Sequence, residues 1–157
     1  MPLRRRTQLS DHRVFFVTTT TRNHAKLFHS NELLTLLHSI IFERVKYHQA
    51  TLFGYVLMIN HFHLLVKLEG GGVGLSKLMR DIKSLSARQI FPNSKGIWME
   101  RFDDVSVTSG EQFRRKLNYI HFNPVKAKLV EQAENYRFSS AKSWNTGKAE
   151  AGVTVDF

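Results

Sequence analysis

Cysteine is absent from this chain of 157 residues. Its absence excludes a disulfide framework, a thiolate zinc site and a cysteine nucleophile, so metal ligands must come from histidine, aspartate, glutamate or asparagine. Long apolar runs are absent too, and no segment is long enough to span a membrane. The basic start of the chain, with Arg4, Arg5 and Arg6, lacks the apolar stretch that follows in a signal peptide. We therefore expect a cytoplasmic protein with no membrane partner.

Acidic residues are scarce relative to basic ones. There are 13 Asp and Glu against 23 Lys and Arg, which gives a formal net charge of +10. A small domain with this surplus favours a polyanionic partner, because each neutralised phosphate releases condensed counterions. Charge alone fits an ordinary basic protein equally well, so a nucleic-acid partner needs further support.

The hydrophobic pattern predicts alternating strands and helices in one domain, residues 1–157. No internal repeat or linker is visible, and we expect a flexible basic leader, residues 1–10, and a flexible tail, residues 146–157. Strands are predicted at residues 14–20, 51–59, 61–68 and 97–107. Helices are predicted from Ser30, after Gly72, and from Ser109 to about Phe122, where Asn123-Pro124 should end the last one.

This order predicts an α+β fold. The first six elements match the ferredoxin-like, or split βαβ, arrangement, in which helices pack on one face of an antiparallel sheet. The third helix is an addition at the C-terminal side. Because such folds carry many functions, the activity has to be inferred from a site.

Two histidines lie in the third predicted strand, in the segment Ile59-Asn60-His61-Phe62-His63. Side chains two residues apart on a strand share a face, so His61 and His63 can converge as half of a divalent metal site. The plain alternative is two polar residues on the solvent face of a strand. Read alone, the pattern favours that alternative.

The third predicted helix carries Tyr119 and Asn123, which are four residues apart and so share a face. Arg115 lies one turn earlier on that face, with Lys116 beside it. Nearby cations favour the phenolate form of a tyrosine and can hold a phosphate. For a tyrosine considered by itself, a place in the core of an amphipathic helix is the stronger interpretation.

Together these segments resemble the single-tyrosine HUH transposases, and in particular their REP-associated tyrosine transposase branch. The likeness runs from about residue 14 to residue 144, and it includes Tyr119-Ile120-His121-Phe122-Asn123-Pro124-Val125 and the paired Ser139-Ser140. It departs at three positions. Ile59 stands where the family commonly has proline, Asp104 where it often has histidine, and Lys128 where it has glycine.

The resemblance implies a ferredoxin-like transposase with Tyr119 as its nucleophile. His61, His63 and Asn123 would hold Mg²⁺ or Mn²⁺. The substrate would be single-stranded DNA carrying a short hairpin, cut through a 5′-phosphotyrosine intermediate by a monomer or homodimer. Further candidate contacts to DNA are basic residues of the second helix and the leader, although ordinary solvated surface charge explains them equally well: Lys77, Arg80, Lys83, Arg88, Arg4, Arg5 and Arg6.

Two other functions remain open at this point. A non-catalytic module of this topology could bind single strands by stacking bases on exposed aromatic side chains of the sheet. A replication or conjugation nickase would share the tyrosine chemistry, although the short chain, without a helicase domain, disfavours it.

Overall fold

The structure is a computed structural model that describes residues 13–157. Arg4, Arg5 and Arg6, predicted to contact DNA, lie outside the described residues. The strands are β1, β2, β3 and β4, at Val14–Thr20, Thr51–Leu57, His61–Lys67 and Asp103–Ser106. The helices are α1, α2, α3 and α4, at Asn31–Tyr47, Gly71–Ile90, Gly110–Lys126 and Ala141–Thr146. In the described part of the chain, no helix is long and apolar enough to cross a membrane.

The four strands form one antiparallel sheet in the order β2-β3-β1-β4. This is the ferredoxin-like order, and the predicted α+β fold is confirmed. The central pair β1 and β3 sets Thr18 opposite His63 and Thr20 opposite His61. Residues paired in this way point to the same face of an antiparallel sheet, so the register decides which β1 side chains accompany the histidines.

Helices cover both faces of the sheet. On one face, α1 and α2 bury apolar residues such as Leu37 and Leu78 against Phe15 and Phe62. On the other face, α3 buries residues including Leu117 against β2 and β3. The third helix therefore lies on the face that carries His61 and His63, away from α1 and α2.

The last part of α3 differs from the prediction. The helix continues to Lys126 with Pro124 inside it, instead of ending at Asn123-Pro124. Pro124 is buried, and its carbonyl accepts a hydrogen bond from Leu129 N at 3.0 Å. The proline removes one N–H donor near the end of the helix, where few bonds remain to be lost, and burial of its ring offsets that cost. Asn123 is consequently held in regular helical geometry.

The fourth strand is shorter than the predicted span, residues 97–107. Within this predicted span, only Asp103–Ser106 forms a strand, and it pairs with β1. Trp98 forms an isolated bridge with Thr21. Ile97 and Trp98 are buried in the core beside α2. An apolar loop that fills a core gives the same hydrophobic signal as a strand, which explains the overestimate.

The segment after α4 is packed against the sheet, whereas the sequence predicts a flexible tail there. Val153 is buried and bridges Leu52 of β2, and Thr154 N donates to the Leu52 carbonyl at 2.9 Å. Phe157 stacks on Phe113 with ring centroids 3.8 Å apart. The tail thereby connects β2 to the start of α3.

Candidate functional site

His61 and His63 share the α3 face of the sheet, as the strand periodicity predicts. Their ring centroids are 5.0 Å apart. His63 is buried, with 3% of its surface exposed, and stacks on Phe16 of β1 at 5.2 Å. His61 lies at the start of β3 and is half-buried. Two imidazoles this close, on a strand in the interior of a sheet, are held rigidly enough to serve as paired ligands.

Hydrogen bonds fix the orientation of both rings. Nδ1 of His63 is bonded to Thr18 Oγ1 at 2.8 Å, and Nδ1 of His61 to Asn60 Oδ1 at 2.8 Å. A partner on one ring nitrogen leaves the other nitrogen, Nε2, for a metal ion, which is the usual arrangement of metal-binding histidines. Thr18 and Asn60 are thus part of the site, and neither was among the predicted residues.

The histidines are neutral near pH 7. Burial, together with the neighbouring His61 and Lys116, lowers the pKa of His63 to about 3, although a hydrogen bond with the Val17 backbone opposes the shift. Burial also lowers the pKa of His61, an effect that its hydrogen bond with Asn123 opposes. A neutral imidazole is the form that binds metal ions.

Tyr119 lies directly against the histidines. Its ring meets His63 edge-on with centroids 5.4 Å apart, and it meets Phe16 in the same way at 5.8 Å. Half of its surface, 51%, is exposed. Asn123, one helical turn later, reaches His61 through its side chain. The structure therefore brings all four predicted residues, on two separate elements of one chain, into one site.

The position of α3 depends on close packing against β2. A Cβ atom added at Gly54 would lie 2.7 Å from Leu117 Cδ1, so either the Leu117 side chain or α3 itself would have to shift. His121 Nε2 is hydrogen-bonded to the buried Ser140 Oγ at 2.8 Å, and Ser140 Oγ also accepts from Tyr55 N at 3.0 Å. These contacts fix the helix that carries Tyr119.

The basic residues Lys116 and Arg115 precede Tyr119 on α3, and they differ in whether they reach the site. Lys116 Nζ lies 4.9 Å from the centre of the Phe16 ring and so reaches the site. Arg115 is exposed and forms an ion pair with Glu111 at 2.6 Å. Lys116 is therefore the basic residue of α3 that the structure places beside Tyr119.

The predicted basic residues of α2 lie on the helix that covers the opposite face of the sheet. Lys77, Arg80 and Arg88 are exposed, and Lys83 Nζ donates to the Met99 carbonyl at 2.7 Å. The sheet separates all four from the side that Tyr119 occupies.

The donor set at the histidines suits a divalent ion. Within residues 13–157, no three His, Asp or Glu side chains come together as a metal-binding cluster. The amide oxygen of Asn123, which contacts His61, is a further donor beside the two imidazoles, and such nitrogen and oxygen ligands are compatible with Mg²⁺ or Mn²⁺. The residues present fit the ion implied by the sequence resemblance.

The sequence of this chain is similar to those of known transposases. The family model described as "Transposase IS200 like" matches residues 8–123. A curated relative, the REP-associated tyrosine transposase of Escherichia coli (strain K12), is 28% identical over 127 residues, which cover 80% of this chain and 74% of the relative.

Two solved structures share the fold. One is a REP-associated tyrosine transposase bound to a REP hairpin, with a TM-score of 0.75 and 22% identity; the match covers 93% of this chain and 85% of the other. The second is a putative transposase from Deinococcus radiodurans, with a TM-score of 0.50 and 17% identity over 68% of this chain and 87% of the other.

Proposed function

This chain belongs to the IS200-like transposase family, and we propose that it cuts and rejoins single-stranded DNA through a covalent bond to Tyr119. One observation carries the proposal. The half-exposed phenol of Tyr119 lies against His63, while Asn123 on the next turn reaches His61. A single chain thus holds a nucleophile and three metal-ligand candidates in one place.

The proposed reaction is a phosphoryl exchange. The phenol oxygen of Tyr119 attacks the scissile phosphorus after losing its proton, and a new tyrosine–phosphate ester forms. The bond from phosphorus to the 3′ oxygen breaks, and this oxygen leaves as a free 3′-hydroxyl once protonated. Attack by another 3′-hydroxyl reverses the step and releases Tyr119, so rejoining consumes no nucleotide cofactor.

We propose Mg²⁺ or Mn²⁺ as the cofactor, held by His61, His63 and Asn123. When bound, the ion would polarise a non-bridging oxygen of the scissile phosphate. Thr18 and Asn60 bond the Nδ1 atoms of His63 and His61, so the Nε2 atoms would be the ones to hold it. Lys116, which lies against the same Phe16 ring as Tyr119, places a positive charge where the DNA phosphate would approach.

The proposed substrate is single-stranded DNA with a hairpin. The solved structure with the same fold is described as bound to a REP hairpin, and the net charge of +10 suits a nucleic-acid ligand. The alternative of a non-catalytic module that stacks bases on an open sheet is less consistent with the fold. Helices cover both faces, and Phe16 on the α3 face is 8% exposed and packed against His63.

The test is formation of a covalent adduct. Labelled single-stranded DNA from both flanks of the native gene is incubated with the protein and Mn²⁺ or Mg²⁺, then analysed on a denaturing gel. We expect a metal-dependent protein–DNA adduct from the wild type that is lost in Tyr119→Phe. Tyr47→Phe is the matched control, because Tyr47 is also exposed but lies on α1. An adduct that persists in Tyr119→Phe, or hairpin binding without any adduct, would refute the catalytic proposal.

A further inference from the structure

A cleft lies between α2 and the segment 96–102, on the side of the sheet that faces away from Tyr119. Its volume is about 380 Å³. We propose that it binds one unpaired nucleotide of the DNA strand flanking the scissile phosphate, with the base in the cleft and its phosphate on the basic rim. This inference rests on the proposed function, since it assumes a single-stranded DNA substrate.

The rim of the cleft is basic, and two of its cations are fixed by the protein backbone. Arg22 Nε donates to the Trp98 carbonyl at 3.0 Å, and its guanidinium carbon would lie 3.6 Å from a Cβ added at Gly96. Lys83 Nζ donates to the carbonyls of Met99 and Glu100 at 2.7 and 3.0 Å. Cations held in this way lose little side-chain entropy when an anion binds.

Arg80 is the third cation of the rim. It is exposed on α2. Among the residues that line the cleft, Glu100 is the acidic one. Three cations against one carboxylate leave a net positive rim, which is complementary to a phosphate. Glu100 can accept a hydrogen bond from an amino group of a base, as acidic side chains do with cytosine.

The walls of the cleft are largely apolar. Ala87, Ile97, Trp98, Met99 and Phe102 contribute to them, and Met99 is 44% exposed at the lip. The indole nitrogen of Trp98 is satisfied by Ser86 Oγ at 2.8 Å, so the indole is held in place. Apolar and aromatic walls beside fixed cations form the combination that proteins use to bind a base together with its phosphate.

The cleft is connected to the candidate active site by the backbone of β1. Met99 N donates to the Thr20 carbonyl at 2.9 Å, and Thr20 is paired with His61. Strand spacing and rise per residue place the backbone of Arg22 within roughly 10 Å of His61. A DNA strand held at His61 therefore needs only to turn over the end of the sheet to reach the cleft.

The test measures binding without catalysis. A labelled oligonucleotide from the gene flanks is titrated by fluorescence anisotropy, with chelator present, against protein carrying Tyr119→Phe. Single abasic sites are placed in turn on both sides of the scissile position. We expect a marked loss of affinity at one or two adjacent positions, where the base that enters the cleft is missing.

Two arginine variants of α2 then show whether the loss of affinity at the abasic position arises in the cleft. Arg80→Gln removes a cleft cation, and Arg88→Gln removes the same charge from the same helix outside the cleft. We expect Arg80→Gln to weaken binding of the intact strand roughly tenfold, the scale of one charge-assisted contact, and to abolish the abasic effect. Arg88→Gln should retain the abasic effect, since it changes only the overall charge.

Fluorescence of Trp98 gives a second measurement. The chain has two tryptophans, so Trp144→Phe leaves Trp98 as the single reporter in the cleft. We expect the intact strand to change its emission, and the strand with the critical abasic site to do so much less. A flat abasic scan, or an abasic effect that Arg80→Gln and Arg88→Gln retain equally, would overturn the cleft proposal.

The two proposals fail in different ways. If wild-type protein forms the Tyr119 adduct but the abasic scan is flat, the cleft proposal is wrong and the catalytic one stands. If no adduct forms but one abasic position depends on Arg80, the cleft binds DNA and the catalytic proposal is wrong.

Discussion

Thr18 is the residue on which the orientation of His63 depends. Its hydroxyl bonds Nδ1 of the buried imidazole at 2.8 Å. In metal sites, removing such an outer partner typically lowers metal affinity by about 10–100-fold. We therefore expect Thr18→Val to require at least about tenfold more Mn²⁺ for half-maximal adduct formation. The measurement is adduct yield as a function of Mn²⁺ concentration.

Thr20→Val is the matched control for this prediction. Thr20 lies two residues further along β1, on the same face and opposite His61. Of these two threonines, Thr18 is the one whose side-chain hydroxyl is hydrogen-bonded to a histidine. Equal metal requirements in Thr18→Val and Thr20→Val would show that the hydroxyl of Thr18 does not orient a ligand.

Residue-level predictions succeeded where local periodicity decides the geometry. The two-residue spacing of His61 and His63 and the four-residue spacing of Tyr119 and Asn123 each predict a shared face, and the structure has both. Thr18 was missed because its contact with His63 spans 45 residues of sequence and depends on the register of β1 against β3. The roles of these residues in binding and catalysis stay predictions.

The element that positions the nucleophile is α3, and its distance from the sheet is set at Gly54. An added Cβ would lie 2.7 Å from Leu117 Cδ1 and 3.3 Å from Ser140 Oγ. We expect Gly54→Ala to lower the free energy of unfolding by about 1–3 kcal/mol, the usual cost of overpacking a core. If α3 moves to relieve the clash, and not the Leu117 side chain alone, adduct yield should fall as well, because Tyr119 moves away from His63. Urea denaturation and the adduct assay measure the two effects.

Gly110→Ala provides the comparison for Gly54→Ala. Gly110 begins α3, and an added Cβ there meets only Arg114 Nη1 at 3.5 Å, an ordinary contact. This variant should keep wild-type stability and adduct yield. If Gly54→Ala behaved like Gly110→Ala in both assays, the close approach of α3 to β2 would not control the site.

Element boundaries were predicted well where composition and capping agree. The predicted span of β1, residues 14–20, is the observed one, and Ser30 caps α1 by accepting a hydrogen bond from Leu33 N. The sequence predicts the end of α3 wrongly, because the conformational preference of the residue before a proline takes no account of burial of the proline ring. Pro124 is packed in the interior, and the helix continues past it.

At the scale of the whole molecule, two tyrosines attach the C-terminal segment to β2, the buried Tyr55 and the partly buried Tyr136. Tyr136 Oη donates to the Leu57 carbonyl at 2.6 Å, and Tyr55 Oη donates to Glu150 Oε1 at 2.6 Å. The sequence could not predict this attachment. Its anchors, among them Glu150, Val153 and Phe157, contact residues of β2 and α3 that are distant in sequence, and they follow no periodic pattern.

These phenols make the stability of the fold sensitive to alkaline pH. Burial raises the pKa of Tyr136 to about 12. Burial, and then the hydrogen bond with Glu150, raise the pKa of Tyr55 as well. Both groups hold their protons more tightly in the folded state, so their contribution is fully present below the unfolded pKa of about 10 and is lost as the pH rises toward about 12.

We therefore expect the free energy of unfolding, measured with urea, to fall between about pH 10 and 12. Tyr136→Phe should be less stable than wild type near pH 8 by about 1 kcal/mol, because it loses the bond to Leu57. This deficit should shrink as the pH rises, since the variant has one phenol fewer to deprotonate on unfolding. Tyr47→Phe, at an exposed tyrosine, should follow the wild-type curve. Parallel curves for Tyr136→Phe and Tyr47→Phe would mean that the Tyr136 phenol does not link the C-terminal segment to stability.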